Sequence, residues 1–266
     1  MSYTPLLIAL LLHAEPEAAL TDREVLERAE TEFQEGMRLR QDREQARPHF
    51  RNSAGYFDEL RRRGVRNAAL YRDLGNAYLL ADDLPRALLS YHRGLRLSPN
   101  DRALRESLAT ARERVIYSPS GDLGRPRSDD RPPWLPHLPS AWLMLAAIPC
   151  YVLGCVSLTR WRMVRRGGLL VGGALALLLA GILAGWLMIR AEEQREREAH
   201  PLVVIARDGV QLRRGNGEAF PTRYETPVNR GVEGRLRFER GGWVQIELSD
   251  GEIGWAPRAA VLVDAP

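Results

Sequence analysis

The sequence predicts a multidomain membrane protein with an all-α region, a two-helix transmembrane hairpin and a small all-β tail. The hairpin rests on two uncharged runs, Ser140 to Thr159 and Gly167 to Ile189. Each reaches the roughly 20 apolar residues that cross a bilayer. The flanks rest on periodicity. Apolar residues recur at helical spacing before the runs and alternate in short strands after them. A mean hydropathy of -0.30 averages over this segregation and hides it.

Residues 1–19 read as a signal peptide. Pro5 to Leu12 is apolar, too short to span, and suits the hydrophobic region of a secretory signal. Cleavage after Ala14 or after Ala19 fits, although no Lys or Arg precedes the run.

Residues 20–117 read as helical. Val25, Leu26, Ala29 and Phe33, then Phe50, Ala54, Phe57 and Leu60, fall at helical spacing. Thr21 or Asp22 can cap the first helix and Gly64 can end the second. The stretch from Ala68 to Asp101 is the most specific signal in the chain. Tyr71, Leu74, Gly75 and Tyr78 lie on its first helix, Ala87 and Tyr91 on its second, and Pro99 ends it. Gly75 and Ala87 are small where helices approach closely, and the aromatic residues and Leu74 fill the spaces between. Asp82 and Asp83 make the turn, with Pro85 in the first turn that follows.

This spacing resembles a tetratricopeptide repeat, whose period is about 34 residues. Gly94 stands where the family usually has Ala. Phe33 and Gly36 faintly echo another first helix, and the insert around Arg47-Pro48 breaks the register. A further helix from Arg102 to about Val115, capped by Asn100-Asp101, reads as a closing cap. The resemblance implies a partner groove lined by Ala69, Arg72, Asn76 and Leu79. Arg72 and Asn76 would hold a peptide backbone or a terminal carboxylate; the alternative is a solvated charge and a residue common at that position.

Residues 118–139 form a Pro-rich linker that favours extended chain. Trp134 and Trp142 sit near the membrane entry, where indole rings suit the interface. The spans are residues 140–159 and 167–189. Pro149 is expected to loosen or kink the first. In the second, Gly168-x-x-x-Gly172 and Gly181-x-x-x-Gly185 suit close helix packing, within the hairpin or across a dimer. The intervening 160–166 carries Arg160, Arg162, Arg165 and Arg166 and no acid. Positive charge beside spans stays cytoplasmic, so both flanks are expected outside. Neither span holds an ionisable residue of the kind a proton or ion path uses. Cys150 and Cys155 point to different sides of one helix, which disfavours a disulfide between them.

The tail, 200–264, reads as strands. Leu202 to Ile205 is one; Val232, Leu236 and Phe238 suit one face of another; Val244, Ile246 and Leu248 alternate with polar residues in a third. Gly241-Gly242 and Asp250-Gly251 are hairpin turns. The run from Gly209 to Gly217 (GVQLRRGNG), Gly242-Trp243 and Gly254-Trp255-Ala256 resemble a bacterial SH3-like domain. That resemblance implies a small barrel that binds peptides or cell-wall material, with Trp243 and Trp255 as ligand platforms or as packing.

In layout the chain resembles the BatE-like proteins. These are associated with aerotolerance operons that encode von Willebrand A proteins and a MoxR-type ATPase. The resemblance implies protein partners and no catalytic residues. All 38 basic residues are Arg, so there is no P-loop or Schiff-base lysine. His13, His49, His92, His137 and His200 lack metal spacing. The net charge of +4 interleaves with Glu and Asp and makes no nucleic-acid stripe. The expectation is a non-enzymatic scaffold, without cofactor or metal, touching the bilayer and protein partners. An envelope sensor or peptidoglycan-binding module is the alternative.

Overall fold

A computed structural model describes residues 20–117, 123–126 and 140–264. The signal segment, Trp134 and most of the Pro-rich linker lie outside these. The chain divides into two compact units between Arg114 and Val115.

The first unit contains α1 (Asp22–Arg38), α2 (Arg43–Arg62), α3 (Ala68–Leu80), α4 (Leu84–Leu97) and α5 (Arg102–Glu113). Each helix packs on the next, and α3 also reaches α5. Short polar side chains start them all. Thr21 forms a capping box with Glu24, and Asp42, Asn67, Asp83 and Asp101 cap α2 to α5. Each cap satisfies amides that the helix itself leaves unpaired. Gly64, at φ +95°, closes α2. Its amide bonds to Arg61 O and that of Val65 to Leu60 O, a Schellman pattern.

Pro48 lies inside α2, and the break between helices falls at residues 39–42. The expected disturbance at Arg47-Pro48 is therefore absorbed within a helix, at the cost of the one amide proline lacks. Of the expected core positions, Val25, Ala29, Phe50, Ala54, Phe57 and Leu60 are buried, whereas Leu26 is exposed.

One packing device recurs. A Cβ at Gly75 would lie 2.4 Å from the Tyr91 ring, and one at Gly36 would lie 2.8 Å from the Phe50 ring. In both helical pairs an aromatic side chain of the second helix rests on a glycine of the first. At Gly94 a Cβ would meet the Leu104 methyls at 2.9 Å. The departure from Ala there lets α5 close against α4.

The second unit holds α6 (Ser140–Val164) and α7 (Gly167–Ala199), followed by β1 (Leu202–Ile205), β2 (Glu233–Arg240), β3 (Trp243–Leu248), β4 (Ile253–Pro257) and β5 (Val261–Val263). Both helices are long and apolar enough to cross a membrane, and only 11% of each apolar window is buried. The core helix of a soluble protein would be mostly covered.

Two details of the pair differ from expectation. The connection is only Arg165-Arg166, because α6 continues to Val164, so Arg160 and Arg162 belong to its last turns and not to a loop. Pro149 lies inside α6, which is helical on both sides of it. The α6–α7 contact uses Gly154, whose Cβ would meet Leu177 at 2.7 Å, and Gly173, whose Cβ would meet Leu158 at 3.1 Å. Gly168, Gly172, Gly181 and Gly185 have open space at the Cβ position, so they do not make the intramolecular seam. The less exposed positions of α6 are Leu143, Ala147, Cys150, Gly154, Ser157, Leu158 and Trp161, close to a heptad spacing, while the residues between them are exposed. Cys150 is half-buried and Cys155 is exposed.

The five strands make one antiparallel sheet in the order β4-β3-β2-β1-β5. The expected barrel is not closed. The 3₁₀ turn Arg258–Ala260 carries the chain from β4, one edge, to β5, the other. The free side of β4 is instead covered at one point, where Arg213 and Trp255 exchange two backbone hydrogen bonds of 2.9 Å. Val203, Val204, Ile205, Leu212, Val232, Val244 and Ile246 are all buried, and because Val203 to Ile205 are consecutive, β1 is covered on both faces.

Replacing Gly75 by Ala is expected to destabilise the helical unit by about 1–3 kcal/mol through overpacking against Tyr91, despite the better helix propensity of Ala. Circular dichroism during thermal unfolding reads this. An unchanged or raised midpoint would show that the ring does not need the glycine.

Candidate functional site

Within the helical unit, the candidate surface is the stripe of α3 that carries Ala69, Arg72, Asn76 and Leu79. Ala69 is exposed and the other three are half-buried. Asn67 starts the helix by accepting the Leu70 amide at 2.7 Å, which sets this stripe's rotation. The opposite side of α3 buries Leu70, Tyr71, Leu74 and Ala77. Of the repeat signature, Tyr71, Leu74, Gly75, Ala87 and Tyr91 are buried, Tyr78 is half-buried, and Pro99 is exposed just beyond the Ser98 cap.

The stripe is more polar than its own residues imply. The Tyr91 hydroxyl donates to Asn76 Oδ1 at 2.8 Å. Arg114, just past α5, donates to Leu79 O at 3.4 Å. Arg72 Nε lies 3.4 Å from Asp73 Oδ1. Burial raises the Asp73 carboxyl above its usual range, partly offset by the Arg72 charge. Burial also pushes the Tyr91 hydroxyl well above the ordinary phenol range, with Arg114 opposing and Asp73 adding to it.

Asn76 is therefore committed, through its oxygen, to holding Tyr91. Its amide hydrogens and the guanidinium groups of Arg72 and Arg114 are what the surface offers a carboxylate or a peptide carbonyl. Arg114 was not visible as a member of this surface, because its approach depends on how α5 closes over α4.

Within the second unit, the candidate surface is the outer side of β2-β3-β4. Trp243 and Trp255 are both half-buried here. Register places Gln245 between Phe238 and Trp255, and Trp243 between Arg240 and Pro257. Phe238 does not share the buried side with Val232, contrary to the period-two expectation. A β-bulge between Leu236 and Phe238 makes Arg237 the extra residue and turns Phe238 outward. There it is 54% exposed, edge-on to Trp255 with centroids 6.2 Å apart. The result is an apolar, aromatic row bordered by the Arg237–Glu247 ion pair.

The loop beside it is stapled by one side chain. Arg213 Nη1 donates to Glu218 O at 2.9 Å and to Phe220 O at 2.7 Å. The Phe220 ring covers Gly215, where a Cβ would lie 2.5 Å away. This local fit accounts for the Arg-Arg-Gly-Asn-Gly composition there.

The turn between α6 and α7 gathers Arg160, Arg162, Arg165 and Arg166, all exposed. At the far end of α7's apolar run, the Arg190 guanidinium lies 4.9 Å over the Trp186 ring. Among the described residues, no group of three or more His, Cys, Asp or Glu side chains converges as a metal site. No protein-family model matches the chain, and no curated protein matches it.

An unfolded tyrosine ionises at roughly pH 10, whereas buried Tyr91 keeps its proton to higher pH. Between these values the folded state binds the proton that the unfolded chain has lost. Stability is thus intact below about pH 10 and falls as pH rises further. Tyr91→Phe is expected to flatten this alkaline decline and to cost about 0.5–1.5 kcal/mol at neutral pH for the lost hydrogen bond. Urea unfolding across pH checks both, and an alkaline slope equal to that of the native protein would refute the burial argument.

Proposed function

We propose that this protein is a non-enzymatic, membrane-anchored scaffold of a bacterial envelope. On this reading a tetratricopeptide-type domain and a bacterial SH3-like domain are held on the outer face of the inner membrane. The observation that carries it is the helix pair: two apolar helices joined by two residues, with four arginines and no acid around the turn. Positive charge of that kind stays on the cytoplasmic side, so the flanking domains lie on the other. The Trp186–Arg190 pair suits the opposite interface, where indole rings settle.

The repeat identity is supported by the stacked helical pairs and by the small-against-aromatic contacts of Gly75 with Tyr91 and Gly36 with Phe50. Partner capture falls to the α3 stripe with Arg72, Asn76 and Arg114. The SH3-like identity is supported by strand order, the stapled Arg213 loop and the position of Trp243 and Trp255, although the sheet is open. The BatE-like layout points to an envelope complex of the aerotolerance, MoxR-associated type.

A second reading is favoured by the aromatic row of Phe238 and Trp255. Such a row suits stacking on sugar rings, which makes peptidoglycan its candidate ligand.

An alkaline phosphatase fusion after Ile116 is expected to be active in cells, and one after Arg165 silent. The reverse pattern would overturn the orientation and with it the scaffold's outer placement. For the second reading, purified full-length protein in micelles is expected to co-sediment with peptidoglycan, and Trp255→Ala to lose most of that recovery. If the native protein stays in the supernatant, wall binding is excluded and the scaffold reading stands alone.

A further inference from the structure

The chain just before the hairpin belongs to the same compact unit as the hairpin and the sheet. That unit starts at Val115, although the strands start only at Leu202. Two hydrogen bonds join this chain to loops of the sheet domain. Ile116 O accepts a hydrogen bond from Asn229 Nδ2 at 3.0 Å. Gly124 N–H donates to Asp250 Oδ2 at 2.8 Å. Each anchoring side chain has a second task within the sheet domain. Asn229 Oδ1 accepts the Gly209 amide at 3.2 Å, and Asp250 Oδ1 accepts the Glu252 amide at 3.1 Å. The anchors are thus held in place by the loops they shape.

Gly124 fits this position in two ways. Its φ of +72° is one that L side chains rarely adopt, and a Cβ there would lie 2.5 Å from Val232 Cγ1. The next nearest atoms are the Leu248 methyls, at 3.6 and 3.8 Å. Val232 and Leu248 are core residues, 1% and 3% exposed. The backbone at Gly124 therefore lies directly on the sheet's core. Nearby, the Arg125 guanidinium sits 5.2 Å over the Tyr117 ring, tying the two described parts of the segment together.

The chain leaving the hairpin is held on the same strand. α7 ends at Ala199, His200 Nδ1 lies 3.0 Å from Leu236 O, and the Leu236 amide donates to Pro201 O at 2.9 Å. The entering chain thus rests on Val232, the residue before β2, and the leaving chain on Leu236 within it.

We propose that the sheet domain carries a docking slot whose ligand is this chain's own pre-membrane segment, around Ile116-Tyr117 and Leu123–Pro126. The membrane hairpin is then an insertion within one domain, and the domain is closed by chain from both sides of it. The proposal stands apart from the scaffold reading and concerns only how the C-terminal domain is assembled. One consequence is topological. Both ends of the hairpin are tied to one sheet and lie on one side of any bilayer that the hairpin enters.

Hydrogen exchange of the full chain in lipid nanodiscs tests the slot. Gly124→Val is expected to speed exchange about tenfold across residues 232–248 while leaving 68–97 unchanged. Gly55→Ala, at a glycine with open space around its Cβ, is expected to change neither region. Equal exchange at 232–248 in Gly124→Val and the native chain would overturn the proposal. Should that variant not fold, disulfide trapping decides. In a Cys150→Ser, Cys155→Ser background, Gly124→Cys with Val232→Cys, where a Cβ at 124 would lie 2.5 Å from Val232 Cγ1, is expected to cross-link under mild oxidation, giving a mobility shift reversed by reductant. Failure to cross-link in the folded protein would equally overturn it.

Discussion

The uncovered apolar surface of α6 and α7 is the constraint on which the rest of the structure depends. The pair meets along one narrow seam, where Gly154 and Gly173 let the backbones approach. Everything outside that seam, including Leu145, Leu153, Leu178 and Ile182, faces outward and is exposed. A helix pair of this kind is not a soluble core, because its packing covers too little of it. In hydrocarbon the same surface carries no penalty, and the helical hydrogen bonds leave no backbone group unsatisfied. So exposed an apolar pair limits what the flanking chain can be. Polar units must follow within a turn or two of each end, and α7 meets the demand by running on as a charged helix to Ala199.

The helical unit and the sheet meet a common difficulty by different means. A single pair of helices has a second apolar side to cover, and here successive pairs supply the cover. Glycine against an aromatic ring, used at Gly36 and Gly75, brings the helices of each pair close enough for that to work. α5 then ends the stack with a mostly polar outer side. The sheet buries alternate residues of β3 and β4, covers β1 on both faces, and leaves β4 and β5 as edges. Its remedies are local: a backbone bridge from Arg213 on β4, and a segment of preceding chain over Val232 and Leu248.

The candidate surfaces inherit their chemistry from these packing solutions. On α3, the phenol that fills the gap beside Gly75 ends at Asn76 and draws that side chain into structural use. The charge on that stripe is cationic: Arg72 on α3, and Arg114 brought in by the closing helix. On the sheet, the bulge at Arg237 spends one residue of strand regularity to turn Phe238 outward beside Trp255. The surface becomes aromatic through a change of register.

Much of this was readable from residue order. Helix starts at Thr21, Asp83 and Asp101, the stop at Gly64, the turns at Gly241-Gly242 and Asp250-Gly251, the two long apolar helices and the alternation in β3 follow from local chemistry. Local rules suffice there because each feature is decided within a few residues. Other features depend on contacts between distant residues, and tertiary structure alone decided them. The glycine repeats of α7 do not face α6, because the direction of a helix side depends on the partner's own small residue, Gly154. Phe238 left the core because one ladder slipped by a residue. Arg114 joined the α3 stripe because α5 folded back over Gly94. Gly124 reads as linker in sequence, yet it lies on Val232, a core residue beyond the hairpin. The sequence by itself determined which segments are helix, strand or long apolar helix, since periodicity and charge are local quantities. It left open which faces meet, since that depends on shape matched across chain that sequence order keeps far apart.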